Sequence, residues 1–320
     1  MYIRGNITLE TMDFKGADIL STKGLIRADL DVILERAKFF LPVAKKEKSS
    51  QILDGKVLAA LFYEPSTRTR LSFETAMLRL GGKCISVVGM DSSSLAKGET
   101  LHDTAKVIEN FADVIAVRHP QPGSAKEVAD AASIPVINGG DGAGEHPTQA
   151  LLDVFTMIEE RKKLDGMTVA LVGDLRYGRT VHSLSYLLSH FKVNLLLVSP
   201  DQLKMPDEII KYLKKMNVHF SEMEKLDVAM KNAQVIYSTR VQKERFVNQD
   251  EYERFKHYYI LTRDEIEKNN ASVTIMHPLP RVGEISIDVD ALPGAAYFRQ
   301  VQNGVALRMA LLSLVLGAKV

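Results

Sequence analysis

The chain has 320 residues, 46% apolar and 25% charged, and its 41 Lys+Arg against 40 Asp+Glu leave a formal charge of +1. That balance excludes intrinsic disorder, which needs few apolar residues and a large net charge, and it excludes a broadly basic face for nucleic acid. The single cysteine, Cys84, rules out an intrachain disulfide and a multi-cysteine metal site, and it fits a reducing compartment.

Met1–Phe14 carries no apolar signal core, and Val305–Ala318 is broken by Arg308 and falls short of the ~20 residues a spanning helix needs. The expectation is a soluble cytoplasmic protein of about two domains.

In chain order, Lys56–Tyr63 reads as a strand and Thr69–Leu80 as a helix closed by Gly81-Gly82. Val114–Val117 and Ile134–Ile137 read as short strands, and His146–Glu160 as a long helix with Leu151, Leu152, Phe155 and Ile158 on its apolar face. The glycine-rich run Asn138–Gly144 interrupts the apolar pattern and marks a boundary. Beyond it, Thr168–Val172 is a strand, Arg179–Phe191 a helix and Val193–Val198 a strand. Met205–Met216 reads as a helix opened by Pro206, and Val235–Ser238 and Val273–Met276 as strands. Alternation of this kind predicts an α/β fold with two central parallel sheets, each flanked by helices.

The chemistry gathers at the strand ends. After the first strand comes Glu64-Pro65-Ser66-Thr67-Arg68-Thr69-Arg70, where a helix N-terminus, hydroxyls and two arginines suit a phosphate. An ordinary capped helix with wet-face arginines has the same composition. Arg118-His119-Pro120 and His146-Pro147-Thr148-Gln149 stand at the same edge, where parallel sheets bind ligands, although a lone histidine at a helix start is more often structural. Gly173–Thr180 follows a strand but lacks the G-x-G-x-x-G spacing of a dinucleotide loop. Arg179 and Arg240 form a pair able to clamp two carboxylates, or simply two surface arginines. Asp91–Thr100, with its isolated Lys97, reads by composition as a surface loop.

Taken together, seven segments in register resemble the aspartate/ornithine carbamoyltransferase family. They are Ser66–Arg70, Ser94–Glu99, Arg118–Pro120, His146–Gln149, Gly173–Arg179, Thr239–Gln242 and His277–Arg281. Pro278 stands where ornithine enzymes carry a cysteine, so the resemblance points to the aspartate branch. It implies transfer of a carbamoyl group from carbamoyl phosphate to L-aspartate by direct amine attack, in pyrimidine synthesis, with neither metal nor organic cofactor.

The resemblance also implies the residue roles. Ser66, Thr67, Arg68 and Thr69 would hold phosphate; Arg118, His146 and Gln149 would contact the carbamoyl group, with Thr69 also near its oxygen. Backbone groups of Leu279 and Pro280 would position its amide, and Arg179, Arg240 and Gln242 would bind aspartate. Lys97 would reach both ligands from the neighbouring subunit of a homotrimer, and the sequence leaves open whether a regulatory chain joins it. Residues 1–145 would form the carbamoyl-phosphate domain and 146–302 the aspartate domain, with the helix at about 303–320 packing back on the first. Arg176 and Gly283 depart from common family usage, the latter expected to loosen a contact that helps closure.

Overall fold

The computed structural model describes residues 11–91, 93–242 and 249–320. The first half runs Arg27–Ala44 (α1), Val57–Phe62 (β1), Thr67–Arg79 (α2), Lys83–Val88 (β2), Leu101–Ile108 (α3), Val114–His119 (β3), Ser124–Ala131 (α4), Val136–Asp141 (β4) and Pro147–Arg161 (α5). The second begins with Thr168–Val172 (β5), Arg179–Leu188 (α6), Asn194–Val198 (β6), Asp207–Lys215 (α7) and His219–Met223 (β7). It continues through Leu226–Asn232 (α8), Val235–Ser238 (β8), Gln249–Phe255 (α9), Arg263–Asn270 (α10), Thr274–Met276 (β9) and Tyr297–Val315 (α11).

All strand pairings are parallel, giving one sheet in the order β2-β1-β3-β4 and another in the order β7-β6-β5-β8-β9. The central strands β1 (VLAALF) and β5 (TVALV) are nearly continuous apolar runs because helices cover both faces. Edge strands β2 (KCISVV) and β7 (HFSEM) are half polar and largely exposed. In each sheet the chain starts in the middle, winds one way, then returns to the other side. The reversals fall between β1 and β3 and between β5 and β8, where the loops part and leave a crevice.

Among the strands expected from sequence, β4 departs furthest. β4 covers Val136–Asp141 and takes in the first glycines of the run that reads as a break. All six residues are buried. The glycines are there for clearance: a Cβ on Gly140, at φ +118°, would lie 3.2 Å from Arg118 Nη1 and 3.5 Å from both Arg179 Nη2 and His146 Cδ2. α7 starts at Asp207, with Pro206 as its cap residue.

The long helix α11 follows the second sheet yet packs most extensively on α1, and also on α2 and α5. Arg308, which interrupts its apolar run, is buried. Its guanidinium donates to Ser72 Oγ at 3.2 Å, Gly304 O at 3.2 Å and Thr148 Oγ1 at 3.3 Å, and lies 5.0 Å from the Phe73 ring centroid. The interruption is therefore a tie between α11 and the two helices whose N-termini face the crevice. Among the described residues, no helix is long and apolar enough to cross a membrane.

Candidate active site

The two crevices merge into one cleft of about 230 Å³. Of the residues singled out from sequence, Ser66, Arg68, Thr69 and Arg118 line it from the first sheet, and His146 and Gln149 from the start of α5. Arg179, Arg240, Gln242, Leu279 and Pro280 line it from the second. Thr67 is exposed at the start of α2 and does not line the cleft. Lys97 lies on the short 3-10 turn Ser94–Lys97, exposed and outside the cleft of its own chain.

Each side chain arrives by the same local logic. β1 stops at Phe62, and Ser66, after Pro65, takes the N-cap position of α2 without spending its hydroxyl on a cap bond. The helix therefore presents free N–H groups and the positive end of its dipole to the cleft. Arg118, the penultimate residue of β3, delivers its guanidinium beside that helix start. In the second sheet, Gly173 has φ +118°, and a Cβ there would lie 2.4 Å from Thr239 O. Only glycine lets the β5 and β8 ends come this close, which brings Arg179 and Arg240 to one wall.

Among the described residues, five arginines line the cleft, at 68, 118, 179, 240 and 308, against one carboxylate, Glu64. Glu64 lies 3.2 Å from Arg118 Nε and 3.8 Å from Arg179 Nη2, linking cations from the two sheets. Arg179 also donates to Gly142 O, and Arg118 Nη1 to Gly139 O at 3.5 Å. Burial, followed by repulsion from Arg118 and Arg240, pushes the Arg68 guanidinium down from its usual range. A cleft whose cations repel one another is stabilised by bound anions.

His146 is buried, with Nε2 3.5 Å from Thr69 Oγ1 and with no partner for Nδ1 among the described residues. Burial, with Arg118, Arg179 and Arg308 nearby, holds its pKa well below 6.5. It is neutral at pH 7 and has one N–H to offer. In an NMR titration from pH 8 to pH 6 the His146 imidazole is expected to keep neutral-form nitrogen shifts; protonation with a midpoint near 6.5 would contradict this.

The 277–280 loop is also built for position. His277 Nδ1 accepts from the Leu279 N–H at 2.8 Å, and Nε2 lies 2.7 Å from Glu284 Oε1. Leu279-Pro280 is a cis peptide, and Leu279 has φ +57°. Gly283 has φ +119°, a region that favours glycine, so its backbone supplies a reason for the residue found there. Arg176 donates to Gln202 O at 3.3 Å and lies over the Tyr177 ring, away from the cleft.

Sequence reasoning misses Glu64, Thr180, Gln300 and Arg308 as lining residues. Glu64 carries a weak signal, a lone acid against a basic string. The other three are reached only through the fold. His119, adjacent to Arg118, accepts from the Gln121 N–H and meets the Tyr63 ring instead of lining the cleft.

Parallel sheets with switch-point crevices and an arginine-walled cleft between them define an α/β protein whose cleft suits small anions. Residues 17–159 match the aspartate/ornithine carbamoyltransferase carbamoyl-P binding domain, and residues 165–315 match the Asp/Orn binding domain. The chain belongs to the aspartate/ornithine carbamoyltransferase family. It is 50% identical over 310 residues to the aspartate carbamoyltransferase catalytic subunit of Methanocella arvoryzae, covering 97% of this chain and 100% of that one. It is 48% identical over 306 residues to the Methanosarcina barkeri catalytic subunit, covering 96% and 99%. The Trypanosoma cruzi aspartate transcarbamoylase, solved with carbamoyl aspartate and phosphate, superposes with a TM-score of 0.89 at 38% identity, covering 97% and 99%. The catalytic subunit of M. jannaschii aspartate transcarbamoylase superposes at 0.87 with 47% identity, covering 93% and 97%.

Proposed function

We propose that this chain transfers the carbamoyl group of carbamoyl phosphate to L-aspartate, forming N-carbamoyl-L-aspartate and phosphate, the committed step of pyrimidine synthesis. The observation that carries the reading is the charge of the cleft: among the described residues, five arginines from both halves face one carboxylate, itself engaged by two of them. A cationic amino acid such as ornithine would find no unengaged acid among these lining residues, whereas a dicarboxylate finds arginines.

In this reading Ser66, Thr67, Arg68 and Thr69 hold the phosphate at the α2 N-terminus, Thr67 through its backbone. Arg118, His146 and Thr69 donate to the carbamoyl oxygen, and Gln149 contacts the same group. The carbonyls of Leu279 and Pro280 accept from its amide, and Arg179, Arg240 and Gln242 hold aspartate. The neutral amine attacks the carbonyl carbon, the bond to the phosphate oxygen breaks, and the proton leaves the nitrogen for the departing phosphate. Carbamoyl phosphate is already activated, so no covalent enzyme intermediate, metal or organic cofactor enters the scheme. Neutral His146 acts as a donor and not as a base. Each fixed donor to the developing oxyanion contributes about 2.7–4 kcal/mol, and holding both substrates makes the encounter effectively intramolecular.

Residues 1–145 form the carbamoyl-phosphate side of this scheme and 146–302 the aspartate side, with 303–320 returning to the first. We place the enzyme in the cytoplasm as a homotrimer in which Lys97 enters a neighbour's cleft. Two features support the trimer: Lys97 lies outside its own cleft, and Leu71, Leu78, Ile85, Val88 and Met90 expose apolar surface near the β2 edge. A regulatory chain is left out of the scheme.

The test is turnover of carbamoyl phosphate by the purified chain with aspartate, ornithine or putrescine, following phosphate and carbamoylated product. Aspartate alone is expected to react. Ornithine turnover without aspartate turnover would sink the assignment, and absence of phosphate release with all three would leave a binding subunit.

A further inference from the structure

We propose that Asp153 is a positioning residue, whose one buried carboxylate sets the relative placement of three segments that wall the cleft. The proposal deepens the reading above and rests on it for the substrates named in the test. Asp153 lies one turn beyond Gln149 on α5, is fully buried and does not itself line the cleft.

Both of its oxygens are hydrogen-bonded. Oδ1 accepts from Gln149 Nε2 at 2.8 Å and from Gln300 Nε2 at 2.5 Å, and Oδ2 accepts from the Tyr237 hydroxyl at 2.7 Å. Each donor stands for a different wall. Gln149 lines the cleft directly. Tyr237 lies on β8, three residues before Arg240. Gln300 lies on α11, and its Oε1 accepts the His277 N–H at 3.1 Å, so the carboxylate reaches the start of the 277–280 loop through one glutamine.

The separations are 84 residues to Tyr237 and 147 to Gln300, so these bonds join parts of the chain that local folding does not bring together. A core built only for stability would not choose this group. Burial raises the Asp153 carboxyl to about 7 against the pull of its three donors and of Arg308, and apolar replacements of buried ionic groups are often as stable. What an apolar side chain does not supply is direction. Three converging hydrogen bonds fix the angles at which α5, β8 and α11 meet, and a misplacement of about 1 Å in such a wall costs roughly 10²-fold in rate.

The experiment compares the full chain with Asp153→Ala, Asp153→Asn and Tyr237→Phe. It measures kcat, KM for aspartate, inorganic phosphate affinity by calorimetry, Tm, and amide hydrogen exchange. Asp153→Ala is expected to lower kcat about 10²-fold while inorganic phosphate affinity stays within about threefold, because the α2 phosphate site does not depend on the carboxylate. Exchange is expected to quicken at 238–242 and 277–280 and to remain unchanged at 66–70. Asp153→Asn, whose amide oxygen accepts from both glutamines and whose amide nitrogen donates to the Tyr237 oxygen, is expected to recover most of the rate.

Wild-type kcat and unchanged exchange in Asp153→Ala would overturn the proposal, as would losses that merely follow Tm with asparagine no better than alanine. If the alanine variant does not fold, Tyr237→Phe decides: wild-type kcat and exchange would overturn the proposal, and a lower kcat with quickened exchange at 238–242 would uphold it. The exchange pattern needs no turnover. An unmutated chain inactive with aspartate therefore overturns the substrate assignment, while the exchange result judges Asp153 separately.

Discussion

Arg118→Ala is expected to lower kcat by about 10²–10³-fold, the effect of removing one preorganised oxyanion donor. The guanidinium is supplied by the end of β3, its side chain is only 11% exposed, and Glu64 and Gly139 O hold it in place before substrate arrives. Such a donor needs no rearrangement as charge develops on the carbamoyl oxygen, so its loss falls on kcat more than on KM. Lysine at this position is expected to restore little, because a single ammonium does not reproduce the guanidinium fork that meets Glu64 and Gly139 O together. The variant also leaves Glu64 with Arg179 alone at 3.8 Å, so steady-state kinetics should be paired with thermal denaturation. A kcat within tenfold of wild type in a folded Arg118→Ala chain would contradict the assignment.

A second large effect is expected from two variants that fail separately and recover together. Lys97→Ala and Arg240→Ala homotrimers are each expected to fall below about 1% of wild-type rate, since a charged group facing an anionic ligand is removed. Dissociated, mixed and reassembled, they place an intact Lys97 from one chain beside an intact Arg240 from another. About a quarter of the sites in a statistical 1:1 mixture then carry both residues, and activity should return in that proportion. The geometry behind this is the exposed Lys97 on its 3-10 turn, outside the cleft that Arg240 lines in the same chain. Verified hybrids that remain inactive would rule out a site built across subunits.

How far the sequence is legible depends on where the signal resides. β5 and β8 appear at their observed limits because central parallel strands are uninterrupted apolar runs. The edge strands β2 and β7 escape such a reading, since Lys83, Ser86, His219, Ser221 and Glu222 break the pattern where solvent replaces a helix. β4 is displaced for the opposite reason: glycines normally end elements, and here they clear space for cleft cations. α1 is amphipathic at Leu30, Ile33, Leu34, Ala37 and Leu41, a spacing open to a helical scan.

At the site, residues on strand ends and helix starts are readable because parallel sheets put ligands there. Thr67 and Lys97 are the exceptions in position. Glu64, Gln300, Arg308 and Asp153 act through contacts up to 236 residues away in sequence, and no local pattern encodes those. An ionisable residue on the buried face of α5 was the available clue to Asp153.

The return of α11 onto α1 also bears on how the protein is made. α1 begins at Arg27, and the helix that covers it most fully ends at Val315, so the first half lacks one wall of its core until α11 has been made. Its sheet emerges from the ribosome early but must wait with apolar surface uncovered. Closure of this core is therefore a long-range event, set by the emergence of α11 and not by the order in which the strands appear.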